Sequence, residues 1–125
     1  MISDDLMETY LRLDAILQPL KITPGWCVGY NIFTELDPSP DTAEYFYGSV
    51  LFSAMNRRKK SEIELYFEPE GDPNGKYILN LFLHKMDPSK KDFDYNNGKL
   101  IQTIASQSRA EIIEAMERFM SIGES

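Results

Sequence analysis

Two alternating runs separated by a turn constrain the fold of this chain more than any other feature. In residues 62–68 apolar and polar residues alternate with a period of two. In the second run Tyr77, Leu79, Leu81 and Leu83 form an apolar face with the same period, and Asn80 and His84 lie on the opposite face. This period is typical of a strand that buries one face and exposes the other. The four residues Asp72-Pro73-Asn74-Gly75 between the runs are typical of a tight turn. The pattern therefore predicts an antiparallel hairpin, and with it a sheet that needs a cover on one face.

Further segments extend this sheet. Residues 26–36 predict a strand, and Asn96-Asn97-Gly98 predicts a hairpin turn that joins residues 93–95 to residues 99–104. Residues 43–55 are compatible with two structures. Their apolar spacing suits a helix, whereas their aromatic and β-branched residues favour a strand. We take the strand as the first interpretation and leave the helix open.

An apolar stripe at helical spacing lies near each end of the chain. The first stripe comprises Leu6, Tyr10, Leu13 and Leu17 and stops before Pro19. The second follows a capping box formed by Ser108 and Glu111, and comprises Ile112, Ala115, Met116, Phe119 and Met120. Residues 1–125 thus predict a single α+β domain. We expect an antiparallel sheet of four to six strands with an N-terminal and a C-terminal helix packed on it.

Composition argues against several classes of protein. The net charge of −7 argues against nucleic-acid binding, and no apolar run approaches the ~20 residues of a membrane span. With one cysteine and one histidine, the chain cannot assemble an ordinary Cys/His zinc site. A nucleophile pair of Cys27 and His84 is conceivable. We expect instead that Cys27 is a core residue and that His84 is half-exposed. The sequence therefore predicts no enzyme activity, no metal, no cofactor and a cytoplasmic location.

Charge divides between alternate loops of the predicted sheet. If the strands run up and down in chain order, every second loop emerges at the same end. One end then gathers the basic residues Arg57, Arg58, Lys59, Lys60, Lys85, Lys90 and Lys91, partly offset by Asp87, Asp92 and Asp94. The other end gathers the acidic residues Glu35, Asp37, Asp41, Glu44, Glu68, Glu70 and Asp72, with Tyr45, Tyr47 and Tyr66 nearby. The acidic end is either a solvated surface or a binding site for a basic partner, in which tyrosines serve as anchors.

Three stretches resemble a known group of proteins. They are Gly25-Trp26-Cys27-Val28-Gly29-Tyr30-Asn31-x-Phe33 followed by an acidic loop, residues 63–70, and Asp72-Pro73-Asn74-Gly75-x-Tyr77. They resemble small immunity proteins of bacterial contact-dependent growth inhibition and other polymorphic toxin systems. The resemblance implies a cytoplasmic inhibitor that binds one cognate toxin domain, often a nuclease, and blocks it by electrostatic and steric occlusion. It implies no catalytic residue.

We therefore predict a surface that binds a basic toxin domain. Its predicted residues are Glu35, Asp37, Asp41, Glu44, Tyr45, Tyr66, Glu68, Glu70 and Asp72. We expect the protein itself to be a monomer or a weak homodimer. A non-catalytic adaptor, or a domain that forms homo-oligomers, is the alternative function.

Overall fold

The chain order of five strands determines the architecture of this protein. The computed structural model describes residues 17–47 and 50–122. The strands are β1 (Cys27–Asn31), β2 (Val50–Asn56), β3 (Ser61–Glu68), β4 (Lys76–Asp87) and β5 (Asp92–Ser106). Each strand lies beside the next one in the chain, and all four pairs are antiparallel. A 3-10 helix (Ala43–Phe46) precedes β2, and helix α1 (Arg109–Met120) follows β5. The sheet is thus a simple meander.

The alternating pattern of β3 and β4 builds the core on one face of the sheet. Ile63, Leu65 and Phe67 of β3 are fully buried, as are Tyr77 and Leu79 of β4. Helix α1 covers this face with the buried side chains Ile112, Met116, Phe119 and Met120. Burying one large apolar side chain stabilises a fold by about 1.5–3 kcal/mol. The core face is therefore what holds the helix on the sheet.

Helix α1 is fixed at both of its ends. The Ser108 hydroxyl accepts a hydrogen bond from the Glu111 backbone N–H at 3.2 Å, which is the predicted N-cap. At the other end the Met120 carbonyl accepts bonds from Trp26 Nε1 at 3.0 Å and Lys59 Nζ at 3.1 Å. These donors satisfy a terminal carbonyl that has no partner within the helix. The C-terminal helix of the sequence prediction is thus present with its cap.

The prediction of a packed helix at each end of the chain is wrong. The described part of the chain contains a single α-helix, α1. The predicted N-terminal helix falls mainly on residues 1–16, which lie outside the described residues. Its last position, Leu17, forms an isolated antiparallel bridge with Thr34, and the Gln18 backbone N–H donates to the Phe33 carbonyl at 2.8 Å. Backbone pairing with residues 33–34 therefore replaces a helical conformation at this position.

Residues 43–55 were expected to form either a strand or a helix, and the structure contains one of each in this range. The first part is the 3-10 helix Ala43–Phe46, and β2 begins at Val50; residues 48 and 49 are outside the described part. Phe46 is buried against the rings of Phe67 and Tyr77, with centroids 4.6 and 6.2 Å away. This packing holds the 3-10 helix against the core, while the β-branched and aromatic residues of β2 after it pair with β3.

The predicted hairpin at Asn96-Asn97-Gly98 is also wrong. β5 runs without reversal through these residues, and both halves of the expected hairpin pair with β4. Lys85 pairs with Asp94 and Leu83 pairs with Lys99, so four residues of β5 face His84 alone. Asp94 Oδ1 accepts a hydrogen bond from the Asn96 N–H at 3.2 Å, which folds the extra residues into a local bulge.

Candidate functional site

Two loops meet at one end of the meander and carry most of the acidic residues. This acidic end comprises residues 32–47, which follow β1, together with Glu68 at the end of β3 and residues 69–75 between β3 and β4. The opposite, basic end comprises residues 57–60 and residues 88–91. Helix α1 begins at the acidic end and finishes at the basic end. The up-and-down strand order on which the sequence argument depended is confirmed, so the charges of alternate loops are sorted to opposite ends.

Gly71 joins the two loops of the acidic end. Its backbone N–H donates to the Phe46 carbonyl at 2.8 Å, and its φ of +68° is a conformation that glycine adopts readily. A Cβ on Gly71 would lie 2.5 Å from the Tyr47 ring. The 3-10 helix that carries Glu44 therefore lies directly beside the turn that carries Glu70 and Asp72.

Hydrogen bonds within each loop restrain its shape. The Thr42 hydroxyl donates to the Asp37 carbonyl at 2.7 Å and accepts a bond from the Ser39 N–H at 2.9 Å. Asp72 Oδ1 accepts a bond from the Asn74 N–H at 2.8 Å, which closes the next turn. Such local bonds order loops that would otherwise lose entropy on binding.

The predicted carboxylates differ in their surroundings. Five of them are exposed at the acidic end: Glu35, Asp41, Glu44, Glu68 and Glu70. Asp37 is also exposed, but its Oδ1 forms an ion pair with Arg109 Nε at 3.1 Å. Asp72 is half-buried and holds its own turn. The structure thus brings these residues to one end and gives two of them a structural contact.

The predicted tyrosine anchors occupy three different environments. Tyr45 is half-buried and packs against the core cluster, so its ring contributes mainly to the fold. Tyr47 is 61% exposed and lies over Gly71, between the two acidic loops. Tyr66 lies in β3, on the face away from α1, and its hydroxyl donates to Glu64. Tyr47 is therefore better placed than Tyr45 to contact a partner at this end.

An acidic row extends from the acidic end along β3. Glu62, Glu64, Tyr66 and Glu68 alternate with the buried residues of this strand. They share the face opposite α1, which we call the open face because no described helix packs on it. The period of two in the sequence is enough to predict that Glu62 and Glu64 lie on the same face of β3 as Tyr66. The sequence prediction omitted both as site residues because it expected helices without specifying which face they cover.

Burial and nearby carboxylates change the ionisation of two tyrosines. Burial raises the pKa of Tyr66 to about 12, and the hydrogen bond to Glu64 contributes further. Burial also raises the pKa of Tyr77 to about 12, with Asp37 raising it and Arg109 lowering it. Arg109 and the positive N-terminus of α1 therefore supply the positive charge that partly balances Asp37 at the acidic end.

A second polar group lies on the open face near the basic end. His84 Nε2 is 2.7 Å from Glu62 Oε1, and the His84 ring stacks on Phe93 with centroids 4.5 Å apart. His84 is buried rather than half-exposed, and its Nδ1 has no hydrogen-bond partner. A Cβ on Gly98 would lie 2.5 Å from the ring. The pair therefore links β3 to β4, and its ring lies beside the bulge of β5.

Cys27 and His84 are not close enough to act together. Cys27 lies in β1 and His84 in β4, so three strand spacings separate them, about 14 Å at roughly 4.8 Å per strand. Cys27 is exposed, contrary to the prediction of a core residue.

At the basic end, the pKa of Asp92 lies below its usual value. The main cause is the hydrogen bond that its carboxylate accepts from the Phe93 N–H, and the Arg57 side chain, 3.2 Å away, lowers the pKa further.

The rest of the described surface contains an apolar hollow but no arranged cluster of metal-ligating side chains. Within residues 17–47 and 50–122 no cluster of three or more His, Cys, Asp or Glu side chains is arranged to hold a metal ion. An apolar hollow of about 360 Å³ lies beside the C-terminal part of α1 and is lined by Lys59, Ser61, Leu83, Ile101, Phe119 and Ile122. None of the described helices is long and apolar enough to cross a membrane. Comparison of the chain with protein-family models, curated proteins and solved structures finds no match.

Proposed function

We propose that this protein is a bacterial immunity protein that binds and neutralises a cognate toxin domain in the cytoplasm. The observation that carries the proposal is the meeting of two acidic loops at one end of the sheet, joined by the Gly71–Phe46 hydrogen bond. The toxin domain is a basic one, and we expect a nuclease. Inhibition by occlusion requires a complementary surface and no catalytic residue of the inhibitor.

Complementary charge supports a basic partner. A nuclease binds a polyanion, so the surface around its active site is basic. The exposed Glu35, Asp41, Glu68 and Glu70 offer carboxylates to such a surface, and their clustering disfavours the free protein through mutual repulsion. A basic partner relieves this repulsion. Electrostatic steering raises association rate constants to about 10⁸–10⁹ M⁻¹s⁻¹ at low salt, which suits an inhibitor that must act before the toxin does.

Aromatic side chains beside the carboxylates support a protein partner rather than a small ion. Tyr47 exposes 61% of its surface between the two acidic loops, and Tyr66 lies in the acidic row next to Glu68. Tyrosine contributes apolar contact area with a polar tip and is enriched in the centre of protein interfaces. We expect Tyr47 to be an anchor and the surrounding carboxylates to set the association rate.

The first experiment pairs this protein with the polypeptide encoded immediately upstream in its source genome. The C-terminal domain of that polypeptide is expressed with and without this protein, and growth and co-purification are followed. We expect the domain to arrest growth alone, and this protein to restore growth and to form a stable complex with it. A harmless domain, or a complex that leaves toxicity unchanged, would contradict the proposal.

Charge reversals then locate the surface. Glu68→Lys and Glu70→Lys change exposed carboxylates of the acidic end, and Glu114→Lys makes the same change on the exposed side of α1. We expect each acidic-end variant to lower the association rate constant by about tenfold at low salt, since charges at an interface act chiefly on association. Glu114→Lys should have little effect. Equal effects of all three variants would show that only net charge matters.

A further inference from the structure

The strand register shows which side chains the open face presents. Residues that lie opposite each other in antiparallel strands point to the same face of a sheet. One row of such neighbours crosses all five strands and comprises Tyr30, Ser53, Glu64, Asn80 and Thr103. A second row also crosses all five and comprises Cys27, Met55, Glu62, Phe82 and Leu100. Glu62 and Glu64 belong to β3, the middle strand, so they lie at the centre of this face.

The two central carboxylates have uncharged neighbours on both adjacent strands. These neighbours are Ser53, Asn80, Met55 and Phe82. A carboxylate on a sheet is stabilised by an opposite charge on the neighbouring strand. Neither row contains a lysine or an arginine, so the sheet itself does not provide this stabilisation. The pattern differs from that of a solvated face with alternating charges.

Both carboxylates are also partly withdrawn from water. Glu62 exposes 14% of its side chain, and its Oε1 lies 2.7 Å from His84 Nε2. Glu64 is half-buried and accepts a hydrogen bond from the Tyr66 hydroxyl, and it forms no ion pair with any of residues 17–47 and 50–122. Withdrawing a carboxylate from water is unfavourable unless an opposite charge compensates. A cation from another molecule would therefore be attracted more strongly here than at a fully exposed carboxylate, which water screens.

Exposed apolar side chains surround these carboxylates. Tyr30 is 46% exposed at the β1 end of the first row, and Leu100 is 51% exposed at the β5 end of the second. Tyr95 is 54% exposed and lies on the same face, because its ring contacts the His84 ring with centroids 5.5 Å apart. Residues that contribute most to binding lie at the centre of an interface, inside a ring of contacts that excludes water. The arrangement therefore fits a protein partner better than a free cation.

The charge and the rings together fit arginine side chains of that partner. A guanidinium group binds a carboxylate through two parallel hydrogen bonds and stacks on aromatic rings. Glu64 has Tyr66 beside it, and Glu62 has Phe82 on the next strand. A partner of net positive charge also meets no lysine or arginine in the two central rows.

We propose that the open face is the centre of the surface that binds the toxin domain, that the acidic end is its rim, and that Glu62 and Glu64 receive arginine side chains of that domain. This inference rests on the proposed function. The face spans about 19 Å across the five strands, at roughly 4.8 Å per strand spacing, and about 13 Å along β3 from Glu62 to Tyr66. That area is well below the ~800 Å² per partner of a stable interface. The adjoining acidic end, which the row reaches through Glu68, supplies further area.

Binding kinetics with the domain encoded upstream distinguish the centre from the rim. Glu64→Gln removes the central charge and keeps an oxygen that accepts the Tyr66 hydrogen bond. We expect it to raise the dissociation rate constant by about tenfold or more, because loss of one member of a buried charge pair acts on dissociation. Glu70→Gln, at the exposed rim, should chiefly lower the association rate constant, and added salt should reduce its effect.

The matched control is Glu114→Gln, which makes the same change on the exposed side of α1 and should alter neither rate constant. If Glu64→Gln dissociated no faster than this control from a complex that still neutralises the domain, the inference would be overturned and the proposed function would stand. If no complex formed with the unmodified protein, both would be overturned.

Alkylation of Cys27 tests the same face in the unmodified protein. Cys27 is the single cysteine of the chain, is exposed and belongs to the second row. We expect iodoacetamide to react with it about tenfold more slowly in the complex than in the free protein, because reaction of a thiol requires access. Equal rates in the two states would contradict the inference. Slow reaction in the free protein, relative to the urea-unfolded chain, would also overturn it, because another segment of the chain would then cover this face.

Discussion

The hydroxyl of Tyr77 gives a prediction whose size follows from the structure. Tyr77 is fully buried, and its ring makes edge-to-face contacts with Phe33 at 5.8 Å and Phe67 at 5.3 Å. Its hydroxyl is buried without a hydrogen-bond partner. Tyr77→Phe removes this oxygen and keeps the ring contacts. We therefore expect the variant to be more stable than the unmodified protein.

The size of the stabilisation expected for Tyr77→Phe is set by the desolvation of one hydroxyl. Burying a hydroxyl without a partner costs about 1–3 kcal/mol in proteins, and the small void left by the oxygen offsets part of the gain. We expect a net stabilisation of about 1 kcal/mol at neutral pH. At about 2.1 cal/mol/K per residue, the unfolding entropy of 125 residues is roughly 0.26 kcal/mol/K. The melting temperature should therefore rise by about 4 °C.

The same hydroxyl makes the difference in the free energy of unfolding between Tyr77→Phe and the unmodified protein depend on pH. Burial raises the pKa of Tyr77 from 10.0 to about 12 in the folded protein. Because the folded pKa is the higher one, the stability due to the neutral phenol is complete below pH 10 and is lost as the pH rises to 12. Two pKa units correspond to at most about 2.7 kcal/mol. The advantage of Tyr77→Phe should grow by up to that amount.

Urea unfolding followed by the fluorescence of Trp26, the single tryptophan, measures both effects. Tyr66→Phe is the matched control, because its hydroxyl donates to Glu64. Losing that bond should destabilise the protein by about 0.5–1.5 kcal/mol. If Tyr77→Phe were instead destabilised by 1 kcal/mol or more, the hydroxyl would have a partner in solution and the argument would fail. An advantage that stays constant from pH 8 to pH 12 would refute the pKa argument.

Two substitutions test how local contacts support the sheet and the helix. Gly98→Ala places a Cβ 2.5 Å from the His84 ring, which Phe93 and Glu62 hold in place. We expect a loss of about 1–3 kcal/mol in urea unfolding, whereas Gly29→Ala, with its nearest atom at 3.4 Å, should change stability little; equal effects would mean that the ring moves aside. Ser108→Ala removes the N-cap of α1 and should cost about 1 kcal/mol in the same assay. An unchanged urea midpoint would show that the cap is replaced by water.

Elements with a strong local signal were predictable from the sequence. β3 and β4 follow from their period of two, because a strand with one buried face must alternate. Helix α1 follows from its apolar stripe and from the cap at Ser108. The meeting of acidic loops at one end follows in turn, because antiparallel strands in chain order place alternate loops together.

Other features depend on contacts between distant segments. The bulge at residues 95–98 arises because both flanking stretches pair with β4, which local turn preference at Asn96-Asn97-Gly98 does not reveal. The 3-10 helix forms where Phe46 finds the rings of Phe67 and Tyr77, which lie more than 20 residues further along the chain. Leu17 likewise pairs with Thr34, which is distant along the chain, so the local helical pattern around Leu17 does not reveal this contact.

The sequence by itself determined which residues alternate, where the C-terminal helix begins and which loops carry charge, since each depends on near neighbours in the chain. The tertiary structure decided which face of the sheet α1 covers, and therefore that Glu62 and Glu64 lie on the open face with Tyr66. It also decided that Tyr45 supports the core while Tyr47 is exposed, and that His84 is enclosed. Burial is a property of packing between segments, and a period of two identifies two faces without stating which one will be covered.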